Sequence, residues 1–448
     1  MKTNLSKIEN ILNSTVSYSD VLFDGVSTDS RTVVSNNLFI PLSGDKYNGH
    51  DYIDDAVDNG AVAIISEKAL QDIPHIKVNN TLNALNKISS YYLQEINPTV
   101  ISVTGTNGKT TVTDMTARIT SNFKKTLKTY KNFNNNIGLP LSILQAKKSD
   151  EIFVLEMGAS KRGDIKELVE IARPQIVALL NVSEAHLETF ESLENILLTK
   201  EEIFLNQGYK KTVILNKDDQ YYDRWVGKNN TNNIKTISLT EKADYTAIDI
   251  SSNSMSVKTP YESEFQINIT NNESFHLMNL LFSIALACES GARSDHIIPA
   301  FKNYNNVEGR FRICNGFNNS SIVDSSYNAN PASFRASIDS LINMGSNSWV
   351  IMGQMGELGV HSEKHHVELA HYAAKKGVKK LFILTEHNEA ISQAFNRETY
   401  SFSKKSDLVR FIKPLLKNNT NVLIKASRYM TVSYTHLRAH ETVLDLVC

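Results

Sequence analysis

Cysteine is nearly absent from this chain: Cys288, Cys314 and Cys448 are the three in 448 residues. So few and so scattered, they exclude a disulfide framework and a zinc ribbon. No stretch approaches the roughly 18 consecutive apolar residues of a membrane-spanning helix. The start, MKTNLSKIEN, lacks the apolar run of a secretory signal, so a soluble cytoplasmic protein is expected. Charge of one sign is not in excess either: 47 Lys and Arg stand against 48 Asp and Glu, a net charge of -1. That balance argues against nucleic acid or an anionic membrane as partner, but leaves room for a local phosphate pocket. Glycine is scarce, 19 residues or about 4% where ~7% is usual, so a place that concentrates glycine needs its backbone freedom.

Size supports several cores. At roughly 100–200 residues per domain the length predicts two to four domains, with three the central expectation. Residues 1–97 alternate short apolar runs with polar turns: NLFIPL (37–42) and AVAIISE (61–67) read as strands around the helical pattern HDYIDDAVDNGA. From Pro98 the β-runs TVISVT (99–104), IFVLE (152–156), IVALLN (176–181) and TVILN (212–216) alternate with helix-like stretches such as RGDIKELVEIA and ENILLTKEEIFLN. Segment 245–270 alternates polar and apolar residues and reads as an antiparallel edge. A second series, SSIVDS, SWVIMG, KKLFILT and NVLIKA, begins near 310. The expectation is an α/β protein of three domains. Residues 1–97 form a small α/β unit and 98–309 a central doubly wound, P-loop-type nucleotide domain. Residues 310–432 form a C-terminal Rossmann-like α/β domain.

The chemistry concentrates after strand 99–104. It runs into Gly105-Thr106-Asn107-Gly108-Lys109-Thr110-Thr111, and TVTDMTARITSNF then reads as a helix. Two glycines let backbone N–H groups curl around an anion, and the helix N-terminus adds partial positive charge. Lys109 is placed to reach the β- and γ-phosphates, and the Thr110 hydroxyl to ligate Mg²⁺. The strict G-x-x-x-x-G-K-[ST] pattern is not met, because position 103 is Val. An ATP-type phosphate site is still the reading that strand, glycines, Lys-Thr pair and helix support together. Glu156 and His186 lie where neighbouring strands should end, the usual ligand edge of such a sheet.

At this point the sequence resembles a known family. GTNGKTT, EMGA, AHLETF with TKEEIF, VEGRF, SYNANP and KASR are similar to motifs of the Mur ligase superfamily of ATP-dependent, peptide-bond-forming enzymes. STDSR (27–31), NFNNNIGLPL (132–141), EMGAS and SSYNANP (325–331) resemble the branch that joins D-alanyl-D-alanine to UDP-N-acetylmuramoyl-tripeptide in cytoplasmic peptidoglycan synthesis. The resemblance implies that the domains bind, in order, the UDP-sugar-peptide, ATP and the amine-side dipeptide. It implies two Mg²⁺ sites, with Thr110 at the first and Glu156 and His186 at the second. Lys200 matches a family lysine carbamylated by CO₂, which would turn a cation that repels Mg²⁺ into an anionic oxygen donor. Asn279 and Arg310 match ATP-contacting positions. Ser27, Asp29 and Arg31 match the uridine-nucleotide segment, and Asn132, Asn134 and Asn135 a substrate-facing loop. Asn328 and Asn330 match the mouth of the dipeptide-side domain. For each of these asparagines turn chemistry is an equal alternative, since the chain has more than forty. A monomer is expected.

Some positions depart from the family pattern. Ser325 replaces an acid, Gln354 replaces Asp in GQMGELG, and KASR stands for K-G-S-R at 425–428. His361, His365 and His366 have helical spacing that could bind a metal, but an exposed polar helix face is the expectation. Ser433–Cys448 does not resemble the family and looks like translated adaptor sequence, so it is read as a non-native tail. Alternatives of other classes are a sibling or folylpolyglutamate-synthase-like amide ligase, a P-loop kinase of a small acceptor, and a nucleotide-gated binding protein.

Overall fold

A computed structural model describes residues 1–14, 21–44, 47–185, 187–270, 272–302 and 304–430. The tail 433–448 and His186 lie outside the described residues. The β-branched run Thr99–Thr104 forms the strand on which the central sheet is organised, and all but its first residue are buried. Nine strands pair in the order Phe265–Asn268, Ser254–Lys258, Tyr245–Ile250, Asn233–Ser238, Thr212–Asn216, Ile176–Leu179, Thr99–Thr104, Ile152–Glu156, Thr126–Lys128. The first two pairings are antiparallel, as the alternation at 245–270 predicts, and the remaining pairings are parallel.

Alternation along these strands builds two cores. Ile101, Val103, Val154, Ala178 and Ile214 face the helices Lys109–Thr120 and Ser274–Glu289. Val100, Phe153, Leu155, Val177 and Val213 face the other way and share a core with the N-terminal unit, including Leu85, Ile88 and Tyr92 of helix Thr81–Ile96. Buried on both faces, the sheet has the near-continuous apolar strands of a doubly wound fold. That unit carries its own parallel sheet, Val26–Ser27, Asn37–Phe39, Ala61–Ser66, His75–Lys77. It is tied to the central domain by Tyr92 Oη donating to Ala146 O at 2.8 Å.

The C-terminal domain holds a six-stranded sheet in the order Arg312–Asn315, Ser321–Asp324, Asn421–Lys425, Ser348–Gly353, Lys380–Leu384, Glu398–Ser401. Its strands are parallel except the first. The fold is thus three-domain α/β with a doubly wound centre. Among the described residues no helix is long and apolar enough to cross a membrane.

One strand differs from its sequence pattern. The apolar run 176–181 continues past the strand, which stops at Leu179 because Asn181 is drawn into the neighbouring loop. Phe153 is fully buried in the central strand Ile152–Glu156. Phe153→Ala should therefore cost about 3–5 kcal/mol through lost burial and a residual cavity. Urea unfolding followed by tryptophan fluorescence checks this, and an unchanged midpoint would contradict it.

Candidate active site

The loop after Thr99–Thr104 lies between the ends of two flanking strands, Ile152–Glu156 and Ile176–Leu179. Gly105 and Gly108 take φ of +154° and +88°. A Cβ on Gly108 would stand 2.6 Å from Asn279 Oδ1, so close packing as well as conformation requires glycine there. Helix Lys109–Thr120 starts at Gly108 with no side-chain cap, which leaves its first N–H groups for an anion. The loop is braced by a residue that motif reading misses. Asn107 N–H donates to Asn181 Oδ1 at 2.9 Å, and Asn181 Nδ2 donates back to Asn107 O at 3.0 Å. Its position at the end of the adjacent strand is the signal that could have found it. Thr106 and Ser183 lock together beside it, Thr106 Oγ1 donating to Ser183 O at 3.1 Å.

Charge gathers around Glu156, which is 3% exposed. One of its oxygens accepts from Thr110 Oγ1 at 2.8 Å and the other from Asn134 Nδ2 at 2.7 Å. Arg310 reaches in from the start of the C-terminal domain, Nη2 donating to Thr110 Oγ1 at 3.1 Å, with its guanidinium 3.9 Å over the Tyr327 ring. Lys109 Nζ folds onto its own loop, donating to Gly105 O at 2.9 Å and Thr106 O at 3.2 Å. Burial lowers the pKa of both Lys109 and Arg310.

Lys200, on helix Leu193–Glu201, is 4% exposed and lines the same cleft. Burial, and then the Lys109 charge, press its pKa down to about 7. The Glu156 charge, and after it those of Asp164 and Glu202, oppose this; the last two carboxylates also accept backbone N–H groups of Ser160, Lys161, Gly163 and Lys166. Among the described residues no group of three or more His, Cys, Asp or Glu converges on a metal position. The Thr110 hydroxyl and the Glu156 carboxylate, 2.8 Å apart at the loop, are hard oxygen donors that suit Mg²⁺ bound largely through phosphate and water.

Lys109, Asn134, Glu156, Lys200, Asn279 and Arg310 line one cleft of about 850 Å³ between the central and C-terminal domains. Gly105, Thr106, Asn107, Gly108, Thr111, Asn132, Asn135 and Asn328 also line it. Asn135 Oδ1 accepts from Gly138 N–H at 2.8 Å, bracing helix Gly138–Leu144. Asn328 Oδ1 accepts from the next residue's N–H. Asn330 does two things: Oδ1 caps helix Pro331–Asn343 through Ser333 N–H, and Nδ2 donates to Asn107 Oδ1 at 2.8 Å. Ser27, Asp29 and Arg31 form a separate cluster on the N-terminal unit, outside this cleft. There Arg31 grips Asp29 through two bonds and Ser27 Oγ donates to Asp29 O at 2.9 Å. Tyr327, Lys425 and Ser183 are cleft residues to which the sequence reading gave no role.

The histidine trio is not the exposed face expected. His361 is exposed, but His365 and His366 are buried. His366 Nε2 accepts from Met355 N–H at 3.0 Å and its Nδ1 pairs with Ser362 O at 2.7 Å, so the ring holds the GQMGELG turn against its helix. Helical spacing placed these rings on one face, and tertiary packing of that turn covered the face.

Three family models match the chain in order. They are the Mur ligase family catalytic domain over residues 22–100, the Mur ligase middle domain over 103–287 and the Mur ligase glutamate ligase domain over 309–428. A UDP-N-acetylmuramoyl-tripeptide–D-alanyl-D-alanine ligase of Escherichia coli is 30% identical over 436 residues, 96% of each chain. The chain belongs to the Mur ligase family. The Bacillus subtilis ligase of the same name is 29% identical, over 96% of this chain and 94% of its own. A MurF ligase from Thermotoga maritima, solved in complex with ADP, matches with a TM-score of 0.79 at 29% identity, over 91% of this chain and 95% of its own. MurF from Acinetobacter baumannii shares the fold, with a TM-score of 0.89 at 23% identity over 96% and 97% of the two chains.

Two outcomes follow for this Mur ligase. Gly108→Ala forces a side chain to a left-handed φ, which costs about 1–2 kcal/mol, and drives it against Asn279. Calorimetry should show ADP binding weakened by at least about tenfold, and unchanged affinity would contradict the loop assignment. Burial holds the His366 pKa down to about 4, below the 6.5 of a free imidazole. The unfolded chain thus takes up a proton that the fold refuses. Stability is full above about pH 6.5 and declines towards pH 4 by up to ~1.4 kcal/mol per pH unit from this ring. His366→Gln keeps an acceptor for Met355 and should flatten that limb in urea titrations at pH 7, 6 and 5. Identical acid limbs would count against it.

Proposed function

We propose that the chain joins D-alanyl-D-alanine to the terminal carboxylate of UDP-N-acetylmuramoyl-tripeptide, converting ATP to ADP and phosphate, in peptidoglycan precursor synthesis. The observation that carries this reading is that the phosphate loop is bonded directly to the C-terminal domain, through Arg310 to Thr110 and Asn330 to Asn107. One cleft therefore has a nucleotide loop on one wall and a separate domain on the other, as a two-substrate ligation needs and a small-acceptor kinase does not. The reaction belongs in the cytoplasm, which holds the ATP pool it consumes, and a single chain supplies both walls, as a monomer requires.

A carboxylate does not accept an amine, because oxide would have to leave. A carboxylate oxygen attacks the γ-phosphorus, ADP departs, and an acyl phosphate forms. The dipeptide amine then attacks the acyl carbon, the amine loses its proton, and phosphate leaves with the electron pair of the C–O bond. Loop N–H groups, the helix start and Lys109 hold the phosphates, while Arg310 and Asn279 keep the nucleotide against the loop. One Mg²⁺ at Thr110, and a second held by Glu156, His186 and a carbamylated Lys200, would neutralise charge on the phosphoryl oxygens. Burial and a pKa near 7 support the carbamate, since they keep part of Lys200 as the neutral amine that attacks CO₂. Ser27, Asp29 and Arg31 take the uridine nucleotide, Asn132, Asn134 and Asn135 the peptide, and Asn328 and Asn330 the dipeptide side.

ADP release should require UDP-N-acetylmuramoyl-tripeptide and D-alanyl-D-alanine together. Full release with the tripeptide alone, or none with both, would overturn the reading. Lys200→Ala should abolish turnover, with partial recovery on adding formate or acetate. A variant at full rate would remove the carbamate from the mechanism.

A further inference from the structure

Lys425 ends the strand Asn421–Lys425, is 3% exposed, and lines the cleft from the C-terminal domain. Its Nζ donates to Ser325 Oγ at 3.0 Å and to Asn328 O at 3.1 Å. An ammonium has three N–H donors, so one remains unspent. Among the described residues no carboxylate forms an ion pair with it. Asp324 is the near acid, but Oδ1 accepts the N–H and O–H of Ser326 and Oδ2 accepts Gly309 N–H at 3.0 Å. Ser325 stands where the family pattern has an acid, so the charge that would neutralise the lysine is missing. Burial, with Arg310 nearby, presses the Lys425 pKa down to about 7. A buried cation held by neutral acceptors alone is costly, and an anion at the unspent donor offsets that cost. Beside it, helix Pro331–Asn343 turns Ala332, Ala336 and Ser337 to the same cleft, a wall of small side chains.

We propose that Lys425 binds the terminal carboxylate of the incoming dipeptide, whose methyl groups lie along Ala332 and Ala336. The amine end is then free to reach the acyl phosphate at the phosphate loop. This rests on the ligase reading above and names the residue that selects the amine substrate by its far, unreacting end. Specificity comes from a charge that the fold leaves unpaired until the dipeptide arrives.

The test compares D-alanyl-D-alanine with its C-terminal carboxamide, at saturating ATP and tripeptide. With the wild-type chain the carboxamide should raise KM about thirtyfold with kcat little changed, the loss of one charge-assisted bond. Lys425→Met should raise KM for the acid by a similar factor. It should leave KM for the carboxamide, ATP and tripeptide within about threefold, because the two changes remove the same contact. Lys425→Arg should restore part of the discrimination. Equal KM for acid and carboxamide in the wild type overturns the proposal without recourse to any variant. A Met variant that raises KM for ATP or the tripeptide instead assigns the lysine to phosphate and also overturns it. Turnover of neither amine by the wild type overturns the ligase reading, and this site with it.

Discussion

One hydroxyl joins three parts of this molecule. Thr110 Oγ1 donates its proton to Glu156 and accepts from Arg310, so the phosphate loop, the end of the neighbouring strand and the start of the C-terminal domain meet at one atom. A hydroxyl has one proton and two lone pairs. With both contacts made, one lone pair remains, which is what a cation beside the phosphates needs. Asn134 fixes the other Glu156 oxygen and so brings the loop 132–136 into the same register. The phosphate loop, the sheet edge, the loop 132–136 and the C-terminal domain are thus coupled through a few short bonds, and the rest of the architecture sets where those bonds can form.

The cleft is an electrostatic exception to the chain around it. A net charge of -1 describes the whole surface, yet Lys109, Lys200, Arg310 and Lys425 are each pushed toward neutrality by burial along one cleft. Such a group gains when an anion replaces lost water, so the cleft is suited to anions. Composition argues against a broad cationic face and says nothing of a buried one.

What was legible in the sequence was local. A strand, two glycines, Lys-Thr and a helix lie within some twenty residues, and the structure assembles them as read. Glu156 was legible because a strand end in a parallel sheet is a ligand edge. Asn181 was not, because it braces the loop from 74 residues away, and one asparagine among more than forty carries no signal of that. For Asn330 the two readings were never exclusive: its oxygen caps a helix while its nitrogen bonds the phosphate loop. His366 was misread because spacing gives a face but not what covers it, here the turn that carries Met355.

The scarcity of glycine has its own physical logic. Among the described residues thirteen non-glycine positions have positive φ, and Asn13, Asn36, Asn97, Asn318, Asn319, Asn396 and Asn419 are seven of them. Asparagine tolerates the left-handed region better than other side chains, and three of these end helices, at Asn13, Asn97 and Asn396. Asparagine therefore meets part of the chain's left-handed need, while positive-φ glycines such as Gly163, Gly208 and Gly377 meet more of it in open space. At three glycines a side chain would also collide with a neighbour: Gly105 against Leu180, Gly108 against Asn279, Gly309 against Tyr327. All three line the cleft, two in the phosphate loop and one beside Arg310. At these three positions glycine marks close approach, and close approach is what a phosphate loop and a domain junction share.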